Sequence, residues 1–352
     1  MISKDVYTKD YIVKLREGSK CDPSILERSI FAFGLLEAFA RTGADFIFKG
    51  GTSLMLLLDE PMRLSTDIDI IVKPDADIMA YIESASKIYP FIRFEENTRV
   101  GVNNIVKKHF RFYYKSLQSE DKEVPILLDV LFEDNHYAEL IQKEIKNNLL
   151  LTDGEPVFVT IPSVNSILGD KLTAFAPHTI GIRPHYEKEN GAIVDKKIEV
   201  IKQFFDVASL FDYATDMELI SKTYKSTAYS ELKYRGLNID YETCLKDSYN
   251  EALSILSRGA LNPNYYRDYY LPGIRGLRQY LINSRFSSET AFVQAAKVMY
   301  LSALILKEGD IKKEIPEQGS FSGTFSKINY IKRLDKSVFN MAAFAIRLIE
   351  EQ

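Results

Sequence analysis

The chain has 352 residues, 46% of them hydrophobic and 27% charged, with a formal net charge of −4. This composition excludes a disordered or low-complexity protein and argues against one that coats nucleic acid indiscriminately, although a local basic patch remains open; the length suffices for two domains with cores of their own. No apolar run approaches membrane-spanning length, no basic-then-apolar signal pattern opens the chain, and Cys21 and Cys244 belong to no metal or redox motif, so the expectation is a cytoplasmic chain with reduced thiols and no membrane association.

Residues 1–23 are mixed and polar and predict no more than a short helix. From 23 to 41, Ile25, Ile30, Phe31, Phe33, Leu35, Leu36, Phe39 and Ala40 recur at helical spacing, and Gly43 ends the run. Phe46, Ile47 and Phe48 then read as a strand, Gly50 and Gly51 as a tight turn, and the Leu/Met-rich stretch after Thr52 and Ser53 as a short buried helix. Backbone N–H groups at such a turn, unobstructed by a Cβ, make a seat for phosphate, and the Thr52 or Ser53 hydroxyl can add a donor. Residues 67–72 follow as a strand with Asp67, Asp69 and Ile71 on one face and Ile68, Ile70 and Val72 on the other. Two carboxylates roughly 6 to 7 Å apart repel by about 2 to 3 kcal/mol at an effective dielectric near 20, and a divalent metal is the obvious relief. A hairpin with surface aspartates is the bland alternative.

Next come a helix over 75–88 and strands near 91–96 and 110–115. Residues 125–132 form a buried strand with one carboxylate, Asp129, flanked by Leu128 and Val130. Such a residue is costly in a core unless something pairs with it; an edge strand or a turn cap is the bland alternative. A helix over 137–146, a strand over 157–161 and a helix starting at 162–163 complete this half. On that last helix Val164, Leu168, Lys171 and Phe175 fall near one stripe, so Lys171 interrupts an apolar face, where snorkelling is the ordinary explanation.

Residues 177–197 read as a long loop. Its His178 and His185 lack helical metal spacing and stand as phosphate or RNA contacts or as plain loop residues. The helix over 196–214 buries Ile201, Phe204, Phe205, Ala208 and Phe211, leaving Lys202 and Asp206 on the opposite face as a possible surface ion pair. Helices over 216–234, 241–258, 273–285, 288–307 and 335–350 fill the remainder. Within 258–285, Arg258, Arg267, Arg275, Arg278 and Arg285 face one acid, Asp268, and interleave with Tyr265, Tyr266, Tyr269 and Tyr270. That pairing suits an RNA surface, with arginine for phosphate and tyrosine for base stacking, or else a solvated helical face over an aromatic core.

Lys49-Gly50-Gly51-Thr52-Ser53-Leu54, followed by Arg63-Leu64-Ser65-Thr66-Asp67-Ile68-Asp69, resembles the signature of the polymerase-beta-like nucleotidyltransferases and, in this fuller form, their AbiEii-type toxin branch. Leu168-Gly169-Asp170-Lys171-Leu172 resembles that family's lysine motif, and the run from Ile201 to Asp212 its last catalytic motif. The resemblance implies an α/β (α+β) fold: a nucleotidyltransferase domain with a mixed sheet over 1–165, then a helical domain over 166–352. It implies two Mg²⁺ ions on Asp67, Asp69 and Asp129, and NTP binding by Lys49, Gly50, Gly51, Thr52, Ser53, Arg63, Ser65, Lys171 and Lys202. Asp206 would then orient Lys171 or belong to its charge cluster. The implied activity is transfer of a nucleotide to the 3′ end of tRNA by a toxin restrained by an antitoxin; on the reading of 258–285 as an RNA surface, Arg267, Arg275, Arg278 and Arg285 would help hold the RNA. Nucleotide transfer onto a protein hydroxyl, a nucleotide-binding module without turnover, and an antibiotic-modifying transferase are the alternatives.

Overall fold

A computed structural model of the chain describes all residues except 18–20, 59, 97–106, 120–121, 189, 283–284 and 351–352. The fold divides into two compact units, Met1–Ser163 with Gln279–Ser284, and Val164–Arg278 with Arg285–Gln352.

The first unit contains helices α1 (Lys9–Arg16), α2 (Pro23–Ala40), α3 (Gly50–Leu57) and α4 (Met79–Ser86), and strands β1 (Ile47–Lys49), β2 (Asp67–Val72), β3 (Arg93–Glu96), β4 (Lys107–Lys115), β5 (Glu123–Phe132), β6 (Leu140–Glu144) and β7 (Phe158–Pro162). These strands form one mixed sheet in the order β3-β4-β5-β2-β1-β7-β6, parallel at β2–β5 and β1–β7 and antiparallel elsewhere. Alternation decides the two faces. Ile68, Ile70, Leu128 and Val130 are at most 1% exposed, and α2 packs on β2 and β5. Asp67, Asp69, Leu127 and Asp129 point the other way and are only half-buried. Proline at its first turn and Asp22, whose carboxylate accepts from the N–H groups of Ser24 and Ile25, start α2 where the apolar periodicity begins.

Residues 140–144 correct the expected helix over 137–146. They pair antiparallel with β7, Ile141 opposite Ile161, so the sheet edge sets their conformation and not their local propensity.

The second unit contains α5 (Val164–Ala174), the hairpin β8 (His185–Glu187) and β9 (Ile193–Asp195), α6 (Lys197–Phe211), α7 (Met217–Arg235), α8 (Tyr241–Leu256), α9 (Pro263–Tyr265), α10 (Leu271–Leu277), α11 (Ser288–Leu306), α12 (Ile331–Leu334) and α13 (Lys336–Glu350). The hairpin corrects the reading of 177–197 as a structureless loop. A π-turn over Tyr266–Tyr270 joins α9 to α10. The expected helix over 273–285 ends at Leu277, passes through a 3₁₀ turn (Arg278–Tyr280), and gives way to an isolated bridge between Leu281 and Arg63. Cys21 and Cys244 are both buried and form no disulfide. Against the expectation of no such run, α11 is long and apolar enough to cross a membrane, but 67% of that stretch is buried in the protein, and it packs on α6, α8 and α13 as a core helix does.

Candidate active site

The registers of four strands line up one row of side chains. Lys49 of β1 pairs with Asp69 of β2, Asp69 with Asp129 of β5, and Asp129 with His109 of β4. Directly paired residues share a face, so this row runs cation, acid, acid, imidazole across the half-buried side of the sheet. Asp67 lies two residues before Asp69 on the same face, and its neighbour Leu127 pairs in turn with Arg111. His109 Nδ1 is 2.6 Å from Asp129 Oδ1. His109 escaped the sequence reading, although the inward Phe110, Phe112 and Tyr114 of its strand mark the outward positions by alternation.

The glycine turn abuts this row. Gly50 has φ +79, which L side chains rarely adopt, and a Cβ there would overlap the carboxylate of Asp69. A Cβ on Gly51 would come within 2.8 Å of Ser65 Oγ and 2.9 Å of Arg63 Nη2. The N-cap residue Lys49 makes no side-chain capping bond to α3, which starts at Gly50. Arg63 is 6% exposed and donates to the Leu64 carbonyl at 3.0 Å. The Lys49 ammonium lies 5.7 Å from the ring centre of Tyr137. The hydroxyls of Thr52 and Ser53 are buried and turned inward: Thr52 donates to the Asp67 carbonyl at 2.6 Å and Ser53 to the Gly50 carbonyl at 2.9 Å. Thr52 thereby fastens the turn to the strand that carries the aspartates, while Ser53 closes the turn on itself.

Lys171, Lys202 and Asp206 belong to the helical unit. Lys171 on α5 is 6% exposed and its Nζ lies 3.1 Å from Asp206 Oδ2 and 3.2 Å from Gln203 Oε1, both on α6. Asp206 is 2% exposed, which sets aside the bland surface-pair alternative and corrects the face assigned to solvent: α6 packs against α5, α10 and α11, and Asp206 lies against Lys171 of α5. Lys202 is half-buried on the same helix. At 6% exposure and in contact with a buried carboxylate, the lysine is held in place and not snorkelling.

Arg267, Arg275, Arg278 and Arg285 are all exposed, but they do not form one helical stripe, because α10 ends before Arg278 and Arg285 lies outside it. Arg267 pairs with Asp268 at 2.8 Å. Tyr266 and Tyr270 are 8% and 1% exposed and belong to the core, whereas Tyr269 stacks on His185 with ring centres 5.3 Å apart and planes at 8°.

Three carboxylates on adjacent strands beside a glycine turn that opens a helix are the parts that metal-assisted nucleotidyl transfer would need. The chain belongs to the AbiEii family, described as nucleotidyl transferase AbiEii toxin of a type IV toxin–antitoxin system, whose model matches residues 34–271. The matched span takes in the glycine turn, the three aspartates, Lys171, Lys202, Asp206 and Arg267. Membership carries with it a nucleoside triphosphate as substrate and an antitoxin as partner. No curated protein matches the chain.

Proposed function

We propose that this toxin transfers a nucleotide from an NTP to the 3′ end of tRNA in a Mg²⁺-dependent reaction and thereby blocks translation in the cytoplasm. The observation that carries the reading is the register that sets Asp69 beside Asp129, with Asp67 on the same face and Gly50 against Asp69. The donor set is all oxygen and half-exposed, which fits magnesium. When bound there, magnesium supplies Lewis acidity toward the acceptor hydroxyl and the leaving pyrophosphate.

The chain's own residues do the rest. The N–H groups of Gly50 and Gly51 hold phosphate, with Arg63, Ser65 and Lys49 supplying charge and a donor around them. Thr52 and Ser53 hold the turn at its height above the sheet through their inward bonds. His109 holds the Asp129 carboxylate by its 2.6 Å contact. Lys171 and Lys202 contact nucleotide phosphates, as the family's lysine motif implies, and Asp206 orients Lys171 through its 3.1 Å contact. The tRNA acceptor is supported by the exposed Arg267, Arg275, Arg278 and Arg285 and by the stacked Tyr269.

Incubation with α-labelled nucleoside triphosphates and total cellular RNA tests this reading. Label should enter tRNA-sized RNA, require added Mg²⁺ and disappear with Asp69→Asn. Label confined to protein would overturn the RNA acceptor, and label that survives in Asp69→Asn would overturn the site.

A further inference from the structure

A cluster of ionisable groups in the helical unit ties the segment after α5 to α8 and takes no part in the chemistry above. Asp247 and Glu251 stand one turn apart on α8 and are 8% and 7% exposed. His178 faces them. Its backbone N–H and the Thr179 hydroxyl donate to Asp247 Oδ2 at 2.8 and 2.9 Å, and its Nε2 lies 3.1 Å from Glu251 Oε1. One ligand atom from each of His178, Asp247 and Glu251 lies within 4.8 Å of the other two. Glu251 Oε2 is sealed from solvent and has no hydrogen-bond partner among the described residues, and the same holds for the hydroxyl of Tyr265, whose ring lies 5.4 Å from that of His178.

Two buried carboxylates thus share one imidazole, and one carboxylate oxygen is left without a partner among the described residues, a burial that is costly unless a cation or a proton relieves it.

We propose that His178, Asp247 and Glu251 bind a divalent first-row transition ion, Zn²⁺ or Mn²⁺, which clamps the segment 175–182 to α8. An imidazole with two carboxylates favours such an ion over Mg²⁺. Ligand distances of about 2.0 to 2.2 Å put ligand atoms up to roughly 4 Å apart around an ion, so side-chain adjustment alone closes the present spacing. The exposed side of His178, 55% accessible, gives the ion its way in. The segment is already tightly wound, with Gly181 N–H donating to the Ala176 carbonyl at 2.7 Å and Ile182 N–H to the Ala174 carbonyl at 3.0 Å. An ion here therefore fixes the C-terminal end of the helix that carries Lys171.

The test is metal uptake by the full chain. Protein stripped with chelator is titrated with Zn²⁺ and with Mn²⁺ by calorimetry, on a D67N/D69N/D129N background that silences the sheet's carboxylates and, in parallel, on the wild type. One equivalent should bind to the silenced background, and Glu251→Gln and His178→Ala should each weaken it by at least about tenfold and remove one equivalent from the wild type. Zn²⁺ should also raise the unfolding temperature of the background but not of its Glu251→Gln derivative. Glu251→Gln removes a buried charge without shortening the side chain, and circular dichroism reports whether each variant folds. Absence of uptake up to millimolar ion, or uptake unchanged in both variants, overturns the proposal and leaves a shared proton as what relieves the pair.

Discussion

Asp67 and Asp69 repel when both are ionised, and Asp129 adds a third charge from the neighbouring strand. Asp69→Asn and Asp129→Asn should therefore each lower transfer by three orders of magnitude or more while leaving the unfolding temperature unchanged or slightly higher in metal-free buffer. Turnover in Mg²⁺ together with a melting curve decides this, and near-normal turnover in either variant would remove the metal role from that residue. Lys171 requires a two-part design, because Lys171→Met strands the carboxylate of Asp206, itself 2% exposed. That single change should cost about 3 to 5 kcal/mol of stability whatever the lysine does for nucleotide. The double variant Lys171→Met with Asp206→Asn should recover most of the stability but none of the phosphate contact, leaving nucleotide affinity lower by about 2 to 3 kcal/mol. Denaturant midpoints and nucleotide titration separate the two, and wild-type affinity in the double variant would reduce Lys171 to a packing residue.

At the scale of elements, the glycine turn can be tested against a control within the same unit. Gly43 and Gly50 both have positive φ, +80 and +79, but a Cβ on Gly43 meets nothing within 4 Å while one on Gly50 overlaps Asp69. Substituting alanine at either should cost about 1 to 2 kcal/mol in backbone strain. Only Gly50→Ala should in addition displace Asp69 and reduce transfer; equal activity losses in the two variants would deny the turn its place in the site. This strand–turn–helix was legible in sequence because each of its signals is local: a short apolar run, paired glycines, then period-two carboxylates. Elements that escaped were those fixed from a distance. Residues 140–144 become a strand by pairing with β7, Asp206 is buried by α5, and His109 joins the site through β-sheet register, none of which a local period encodes. The helix expected over 273–285 stops at Leu277, where the chain leaves for the other unit, so Arg275, Arg278 and Arg285 share no helical face. Arg275 and Arg278 remain exposed and three residues apart. Changing both to Gln should weaken tRNA binding and reduce the slope of log affinity against log salt by about 2, with NTP affinity intact; an unchanged slope would mean that the RNA is held elsewhere.

For the molecule as a whole, a net charge of −4 means that the proposed RNA binding should be confined to local patches and should fall steeply with salt. Expression of the wild type should arrest growth, and co-expression of the antitoxin should restore it, with tRNA ends extended only in the first case. Arrest by the Asp69→Asn variant would show that toxicity does not need transfer. The return of Gln279–Ser284 to the first unit also sets a clock on toxicity during synthesis. Leu64 N–H donates to the Tyr280 carbonyl at 2.7 Å and Asp22 N–H to the Gln279 carbonyl at 3.0 Å, so the stretch beside Arg63 and the start of α2 are finished by residues made long after Ser163. At translation rates of about 5 to 20 residues per second, the ribosome needs roughly 6 to 24 s to travel from the end of the sheet to that segment. Nascent chains stalled before residue 279 should leave the neighbourhood of Arg63 open to protease, and those stalled well beyond 284 should protect it, so that a half-made toxin is harmless to the ribosome still making it.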